Sequence, residues 1–304
     1  MRKNHTMFTN AERLKIPSIL RTATLRRRRV QELTEDGWWR PYHGFIAEPG
    51  AMPAYAARTS EHLAQVATLA LLGKDDIIMA GTTAALLLGY PVWPLPHDIY
   101  AYRTLGRSSS TVLSPTPHEN TPTIYHPLHA SPPINVICEI NDRISVTGPH
   151  RTAVDIARFA NSETAFITVS SIIGQLASSG NIYRDREDSS GFSTRQNRIK
   201  GELLTQAAHL PDTSGRARAR ELITLADGQL ESVGEARVLW AIRAHHLPLP
   251  TLQYRIDIAG NTYFCDFMWE EHRAIIEFNG TIKYHNHEGS QDRMAAERHR
   301  ESLL

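Results

Sequence analysis

The sequence has few of the features that mark secreted or membrane proteins. Its 304 residues include 2 cysteines, and Cys138 and Cys265 lie too far apart for a CxxC metal knuckle or a small disulfide-stapled module. Prolines interrupt the uncharged stretch of residues 77–97, and no apolar signal region follows the basic N-terminus. We therefore expect a cytoplasmic protein without a membrane partner.

The chain has no overall excess of positive or negative charge, but its two ends differ in charge. Lys+Arg total 33 and Asp+Glu total 32, which excludes a uniformly basic nucleic-acid coat and an acidic disordered tail. Residues 1–50 hold ten basic and five acidic side chains, whereas residues 221–304 hold eight and thirteen. The first segment is thus suited to polyanions, and the last gathers carboxylates for another purpose.

The length and the 41% content of hydrophobic residues indicate a folded chain of several domains. The mixture of helix and strand patterns along it predicts an α+β fold. In the middle segment we expect helices at residues 59–72 and 77–90, several short strands, and a helix from Thr152 that buries Phe159. The composition of residues 184–201 is typical of a linker. No glycine-rich phosphate loop follows a clear strand, so no organic cofactor is expected. The histidines of this segment are scattered, and we expect ordinary surface or core residues: His118, His126, His129 and His150.

The basic first segment predicts short helices followed by a hairpin, the pattern of a small winged helix. Thr9 and Glu12 have capping-box spacing for a helix from Asn10, and residues 18–33 have the apolar spacing of one or two more helices. Asp36 and Gly37 form a turn signal, and a short strand is expected at Phe45–Ala47.

Four consecutive arginines lie in this segment: Arg26, Arg27, Arg28 and Arg29. They either form a solvated helix face or contact DNA phosphates. Because four successive residues span a full helical turn, they cannot all face one groove. Phosphate positioning is therefore a stronger expectation than sequence readout.

The last segment places carboxylates inside apolar strands. Ser232 and Glu235 have capping-box spacing for a helix to about residue 246, and three strands are expected at residues 253–258, 263–268 and 273–279. Alternation puts Asp266 on the face opposite Cys265, and a hairpin would make Asp266 and Glu277 direct or diagonal neighbours. Two adjacent carboxylates repel each other unless a cation lies between them.

Such a pair fits a hard divalent ion, because Mg²⁺ binds through one or two carboxylates together with waters and phosphate oxygens. Lys283 follows shortly after and would stabilise charge on a phosphate. These residues predict a metal-dependent phosphodiesterase. The alternative is that Asp266 and Glu277 bind backbone amides or the arginines Arg255 and Arg273, with Lys283 an ordinary surface lysine.

Four strings in the last segment together resemble one known domain. They are Glu231-Ser-Val-Gly-Glu235-Ala-Arg237, Leu247-Pro-x-Pro250-x-x-Gln253, Asp266-Phe-x-Trp269 and Glu277-Phe-Asn-Gly280-x-x-Lys283-Tyr284. The segment resembles the very-short-patch-repair-like endonuclease domain of the PD-(D/E)xK restriction-endonuclease superfamily. That resemblance implies an α/β domain with a central mixed sheet, Glu235, Asp266, Glu277 and Lys283 as catalytic residues, and Asp266, Glu277 and Asn279 around Mg²⁺ or Mn²⁺.

The preceding residues resemble the AbiEi-type antitoxin winged helix and its companion region. Gly37-Trp38-Trp39-Arg40 before Gly44-Phe45 is similar to the wing, and Val146-Thr147 with Arg151-Thr152-Ala153-Val154-Asp155 is similar to the closing motif of the companion region. The resemblance implies double-stranded DNA as a partner, contacted by Arg40 and the four arginines, and a toxin partner in a toxin–antitoxin or defence operon.

Together these resemblances predict four parts: a winged helix-turn-helix-like domain at 1–55, a mixed α/β middle domain at 56–183, a linker and connecting helix at 184–220, and an endonuclease-like domain at 221–304.

The last domain departs from its family at two places. Asn279 stands where the family usually has aspartate, and related domains continue into a further strand beyond the position of Leu304. Two hypotheses follow: an active metal-dependent DNA endonuclease, or a non-enzymatic regulator resembling type IV antitoxins with a degenerate nuclease fold.

Overall fold

The computed structural model describes residues 16–50, 54–72, 77–103, 109–128, 137–141, 144–210, 214–258 and 260–278. Within them the fold is α+β, with a six-stranded mixed sheet and two smaller antiparallel sheets. None of the helices in these ranges is long and apolar enough to cross a membrane. The helix expected from Asn10 lies outside the described residues.

The basic segment contains a small antiparallel sheet beside one α-helix. Its elements are β1 (Ile19–Arg21), a short 3₁₀ turn at Thr22–Thr24, α1 (Arg27–Glu35) and β2 (Phe45–Ala47). β1 pairs antiparallel with β2, and Trp39 forms an isolated bridge with Ala47. The expected strand at Phe45–Ala47 is confirmed, but the expected hairpin is reduced to the Trp39–Ala47 bridge, because β2 pairs with β1. The expectation of helix from residue 18 is wrong at Ile19–Arg21, because this backbone completes the sheet.

The middle segment is built on the mixed sheet. Its first elements are α2 (Ala54–Leu72), β3 (Ile77–Met79), α3 (Gly81–Leu87), β4 (Ile99–Arg103), β5 (Thr111–Val112), β6 (Ile124–Leu128), β7 (Ile137–Asn141) and β8 (Ile144–Thr147). The strand order is β5-β6-β4-β3-β8-β7, with parallel pairing between β3 and β8 and between β4 and β6.

The single helix expected at residues 77–90 is wrong. Ile77–Met79 forms β3, which is buried between β4 and β8, and the chain then turns at Gly81 into α3. A short, fully buried strand has no polar alternation, so its apolar run cannot be distinguished from that of a buried helix by periodicity.

Five helices follow the sheet: α4 (Pro149–Phe159), α5 (Ser162–Ala177), α6 (Ile182–Glu187), α7 (Ser189–His209) and α8 (Arg216–Leu225). The linker expected at residues 184–201 is therefore wrong, since α7 buries Phe192, Ile199 and Leu203. Asp188 caps α7 by accepting a hydrogen bond from Gly191 N at 3.0 Å. Phe159, expected in the core, ends α4 with 48% of its surface exposed.

The acidic segment forms a helix and a meander, as expected. α9 (Val233–Ala244) precedes β9 (Thr251–Ile258), β10 (Asn261–Trp269) and β11 (Ala274–Ile276), whose order is β11-β10-β9. These described strands are all antiparallel. The parallel pairs of the described chain lie in the middle segment, so a mixed sheet here remains a prediction.

A second apolar core joins α5 to the acidic segment. Phe166 and Ile167 of α5 pack with Leu239, Leu252 and Phe267, all of them buried. The helix and meander that carry the carboxylates are therefore held against the middle of the molecule by shared hydrophobic contacts.

Candidate functional site

Glu235 is fixed at the first turn of α9 by a reciprocal capping box. Ser232 Oγ accepts a hydrogen bond from Glu235 N at 3.1 Å and donates to Glu235 Oε1 at 2.7 Å. Glu235 Oε2 accepts from Glu231 N at 2.8 Å. The side chain is 6% exposed, so the capping motif read from the sequence holds a buried carboxyl in one orientation.

The environment of Glu235 favours its protonated form. Burial, and then the negative charge of Asp266, raise the pKa of Glu235 to about 7, although the hydrogen bonds from Glu231 N and Ser232 Oγ favour ionisation. The charge of Asp266 therefore acts on Glu235, which is consistent with the two carboxyls forming one site. A cation bound beside them would favour ionised Glu235.

The pairing of β10 with β11 ends one residue short of Asp266 on one strand and one residue short of Glu277 on the other. Phe267 is paired with Ile276, and Met268 with Ile275. Extending this antiparallel register by one residue sets Asp266 opposite Glu277, as the alternation of the sequence predicts. Asp266 Oδ2 also accepts a hydrogen bond from Phe278 N at 2.8 Å. The alternative expectation, that Asp266 binds a backbone amide, is therefore correct for this oxygen.

Gln253 completes the surroundings of Asp266 from the other side. Its Nε2 lies 3.4 Å from Asp266 Oδ1, a long hydrogen bond, and its Oε1 is buried without a hydrogen-bond partner among the described residues. The backbone of Gln253 has φ 48°, in the left-handed region that non-glycine residues rarely occupy. Such local strain is typical of functional sites.

Gly234 allows the end of the meander to reach α9. A Cβ added to Gly234 would overlap the ring of Phe278, so the ring packs directly against the helix backbone. Because Phe278 N also binds Asp266, this contact helps to set the position of the residue after Glu277.

Arg186 is a neighbour that sequence reasoning missed. It lies on α6, and its Nε donates to Glu231 Oε1 at 2.5 Å. Its guanidinium lies 5.5 Å from the centroid of the Phe264 ring, and strand alternation puts Phe264 on the same face of β10 as Asp266. No local signal marks Arg186, because only the packing of α6 brings it here.

The donor set at this site is oxygen-rich. The carboxylates of Asp266 and Glu277 are hard ligands of the kind that Mg²⁺ and Mn²⁺ prefer. In the part of the chain that the structure describes, no group of three or more His, Cys, Asp or Glu side chains is arranged to hold a metal ion. Asn279 and Lys283 lie outside that part, so their roles stay predictions.

The arginines predicted to contact DNA are exposed. Arg26 occupies the N-cap position of α1 without a side-chain capping bond, and Arg27, Arg28 and Arg29 form the first turn. Arg28 and Arg29 pair with Glu32 at 3.1 and 3.3 Å, yet their side chains remain 92% and 55% exposed. Arg40 is exposed beside the Trp39 bridge.

The scattered histidines are brought together with carboxylates in the middle segment. His118 Nδ1 lies 2.5 Å from Glu61 Oε1, and His126 Nε2 lies 2.9 Å from Asp98 Oδ2. His150 likewise contacts Glu202 at 3.0 Å. His129 lies outside the described residues.

Comparisons with known proteins identify similar chains but no activity. Two curated proteins of Mycobacterium tuberculosis, one from strain CDC 1551 / Oshkosh and one from strain ATCC 25618 / H37Rv, are each 25% identical to this chain over 233 residues. The match covers 76% of this chain and 72% of each relative, and both relatives are named uncharacterized proteins. No family model and no solved structure matches the chain.

Proposed function

We propose that this chain is a DNA-binding protein whose acidic segment hydrolyses phosphodiester bonds with the help of a divalent cation. The observation that carries the proposal is the β10–β11 register, which sets Asp266 opposite Glu277 when it is extended by one residue. The charge of Asp266 also raises the pKa of buried Glu235. Adjacent carboxylates on a partly exposed strand face are costly for stability alone, and a cation offsets that cost.

Each residue of the proposed site has a separate role in cation binding or catalysis. Asp266 and Glu277 would hold Mg²⁺ or Mn²⁺, which supplies charge neutralisation and an activated water. Phe278 N and Gln253 orient Asp266, and Glu235 adds a carboxyl whose pKa lies near neutrality. Lys283, and Asn279 as a neutral oxygen ligand, are assigned by the resemblance to the very-short-patch-repair-like endonuclease domain.

The basic segment is assigned to the DNA backbone. Arg26, Arg27, Arg28, Arg29 and Arg40 are exposed cations, suited to phosphate contacts that position a duplex without reading its sequence. In this proposal the winged-helix-like segment docks on DNA, the middle α/β segment supports it, and residues 221–304 act on the phosphodiester.

The test is nicking of supercoiled and mismatch-containing DNA by the purified chain in Mg²⁺ or Mn²⁺. The Asp266→Ala, Glu277→Ala double variant is expected to lose at least about a hundredfold in rate, because it removes both cation ligands. The matched control is Glu270→Ala, Glu271→Ala, which deletes two exposed carboxylates of the neighbouring turn and should cleave normally.

Equal cleavage by the wild type and the Asp266→Ala, Glu277→Ala variant would reveal a contaminating nuclease and remove the support for catalysis. Absence of cleavage by the folded, DNA-bound wild type would contradict the enzymatic proposal.

A second function, a non-enzymatic regulator resembling type IV antitoxins, is favoured by two observations. Arg28 is 92% exposed on α1, and Asn279 stands where the resembling family has aspartate. Such a regulator would bind operator DNA and pair with a toxin. Neutralising Arg26 to Arg29 as glutamines should weaken duplex binding and make log K less dependent on log salt. The slope should fall by about one unit for each arginine that touches a phosphate in the wild-type complex.

Fluorescence anisotropy against a labelled duplex at several salt concentrations measures that slope. An unchanged slope in the glutamine variant would remove the arginines from the interface, and footprinting without a preferred site would contradict operator binding.

A further inference from the structure

A cavity of about 470 Å³ lies in the middle segment, away from the carboxylate site. It opens where the start of α3, the chain before β4, the end of β6 and the α4–α5 junction meet. Its volume falls in the range of about 300–1,000 Å³ that is usual for small-molecule sites. Neither the capping box nor the β10–β11 pair contributes to its wall.

The wall combines apolar surface with fixed hydrogen-bonding groups. Leu95 and Ile156 contribute apolar surface, and Asp155, only 1% exposed, lies in the same wall. Arg151 Nε donates to Asp155 Oδ1 at 2.9 Å, and Tyr102 Oη donates to the same carboxylate at 3.0 Å. This buried polar group is therefore held rigidly beside the cavity.

Two lining hydroxyls remain available to a ligand. Thr82 Oγ1 and Tyr100 Oη have no hydrogen-bond partner in the described part of the chain. The Tyr100 ring is held by stacking on His126, with centroids 5.1 Å apart. Both hydroxyls can donate or accept, which suits the mixed polar edge of a heteroaromatic molecule.

The charges at the cavity disfavour a phosphate. Asp98 is an acidic lining residue, whereas neither lysine nor arginine lines the cavity. The charge of Asp155, also in the wall, is balanced by Arg151 at 2.9 Å. His97 has its ring nitrogens on two acceptors, Glu119 Oε2 at 2.8 Å and Pro122 O at 3.0 Å, so a protonated ring would lie against the carboxylate of Glu119. Burial lowers the pKa of His97, but these hydrogen bonds outweigh burial and raise it above its ordinary value.

An aromatic ring lies at the rim. Phe159 is 48% exposed and lines the cavity at the end of α4, with the Arg158 guanidinium 4.5 Å from its ring centroid. A large exposed aromatic ring at a cavity is typical of a ligand contact, because it can cover a flat ring and shield it from water.

We propose that this cavity binds a small heteroaromatic molecule of nucleoside size that is uncharged or cationic and carries no phosphate. Thr82 and Tyr100 bind its polar edge, the carboxylate of Asp98 favours its N–H groups, and Phe159 covers its ring. The site is separate from the proposed phosphodiesterase site, so either can fail without the other.

The test is isothermal titration and saturation-transfer NMR of the full chain with adenosine, 2-aminobenzimidazole and adenosine 5′-monophosphate, each up to about 1 mM. Adenosine or 2-aminobenzimidazole should bind, and the monophosphate should bind at least about tenfold more weakly than adenosine. Thr82→Val and Tyr100→Phe should each weaken binding about threefold to tenfold. Ala160→Phe should abolish it by filling the cavity, while Thr205→Val, an exposed hydroxyl on α7, should have no effect.

The proposal is overturned if neither adenosine nor 2-aminobenzimidazole binds, if the monophosphate binds as tightly as adenosine, or if binding survives the lining variants unchanged. Thermal melting establishes that each variant is folded. If Ala160→Phe fails to fold, the near-isosteric Thr82→Val and Tyr100→Phe variants decide the outcome.

Discussion

Glu235 shows at the residue scale how one side chain serves both the helix and the site. Its oxygens complete the capping box of α9, which favours the ionised form, while burial and Asp266 favour the protonated form. The second influence dominates and raises the pKa to about 7. At pH values below the ordinary carboxyl pKa, Glu235 is protonated in both the folded and the unfolded protein and does not reduce stability. The free energy of unfolding then falls as the pH rises from that ordinary value through the folded pKa.

We predict that Glu235→Gln changes the pH dependence of stability. The free energy of unfolding of the variant should equal that of the wild type near pH 4.5. Near pH 8 it should be higher by about 3 kcal/mol, because only the wild type must ionise a buried carboxyl. Urea denaturation of both proteins across this range measures the difference. Glu270→Gln, an exposed control, should show none, and a difference for Glu235→Gln that does not vary with pH would contradict the assignment.

Single residues of the site were predictable to different degrees. Asp266 and Glu277 stand out because strand alternation places carboxylates within apolar runs, and the capping box marks Glu235. Gln253 is visible in the sequence only as part of the resembling motif, since neither its left-handed backbone nor its orphaned amide oxygen leaves a local pattern. Arg186 reaches the site only through the packing of α6.

At the scale of elements, the contact between α9 and the end of the meander depends on the missing side chain of Gly234. Alanine is intrinsically better than glycine in a helix by up to about 1 kcal/mol. Here we predict that Gly234→Ala destabilises the protein by about 1 to 3 kcal/mol, because its Cβ would overlap the Phe278 ring.

A double-mutant cycle with Phe278→Ala isolates this contact. In that background Gly234→Ala should be neutral or stabilising, since the ring is gone and the helix preference remains. Chemical denaturation of the four proteins gives the coupling energy. Equal effects of Gly234→Ala in both backgrounds would show that Phe278 does not pack on the helix backbone.

Hydrophobic periodicity and composition predicted some helices and strands correctly and others wrongly. The meander was predictable because polar and apolar residues alternate and Gly260 marks a turn. The segment Ile77–Met79 lacks alternation because both faces of β3 are buried. Residues 184–201 have a linker-like composition, but Asp188 caps α7, and three apolar residues of that helix anchor it on the core.

At the scale of the whole molecule, the acidic segment and the middle segment share one apolar core around Phe166 and Phe267. Gly174 of α5 also approaches Gly228 so closely that an added Cβ would lie 2.5 Å from Gly228 O. Sequence reasoning could separate these segments by charge and composition but could not reveal this contact, which depends on residues far apart in the chain. The site is thus held by the molecule as a whole.

Binding of Mn²⁺ to the full chain tests the central proposal most directly, because the Asp266–Glu277 pair is assigned to a divalent cation. Electron paramagnetic resonance measures the concentration of free Mn²⁺. This concentration should fall saturably when the wild type or the Glu270→Gln, Glu271→Gln control is added. Asp266→Asn, Glu277→Gln, which keeps the shape of the site and removes its charge, should bind at least about tenfold more weakly. Wild-type protein that leaves free Mn²⁺ unchanged, or equal binding by the neutral variant, would contradict a cation site at Asp266 and Glu277.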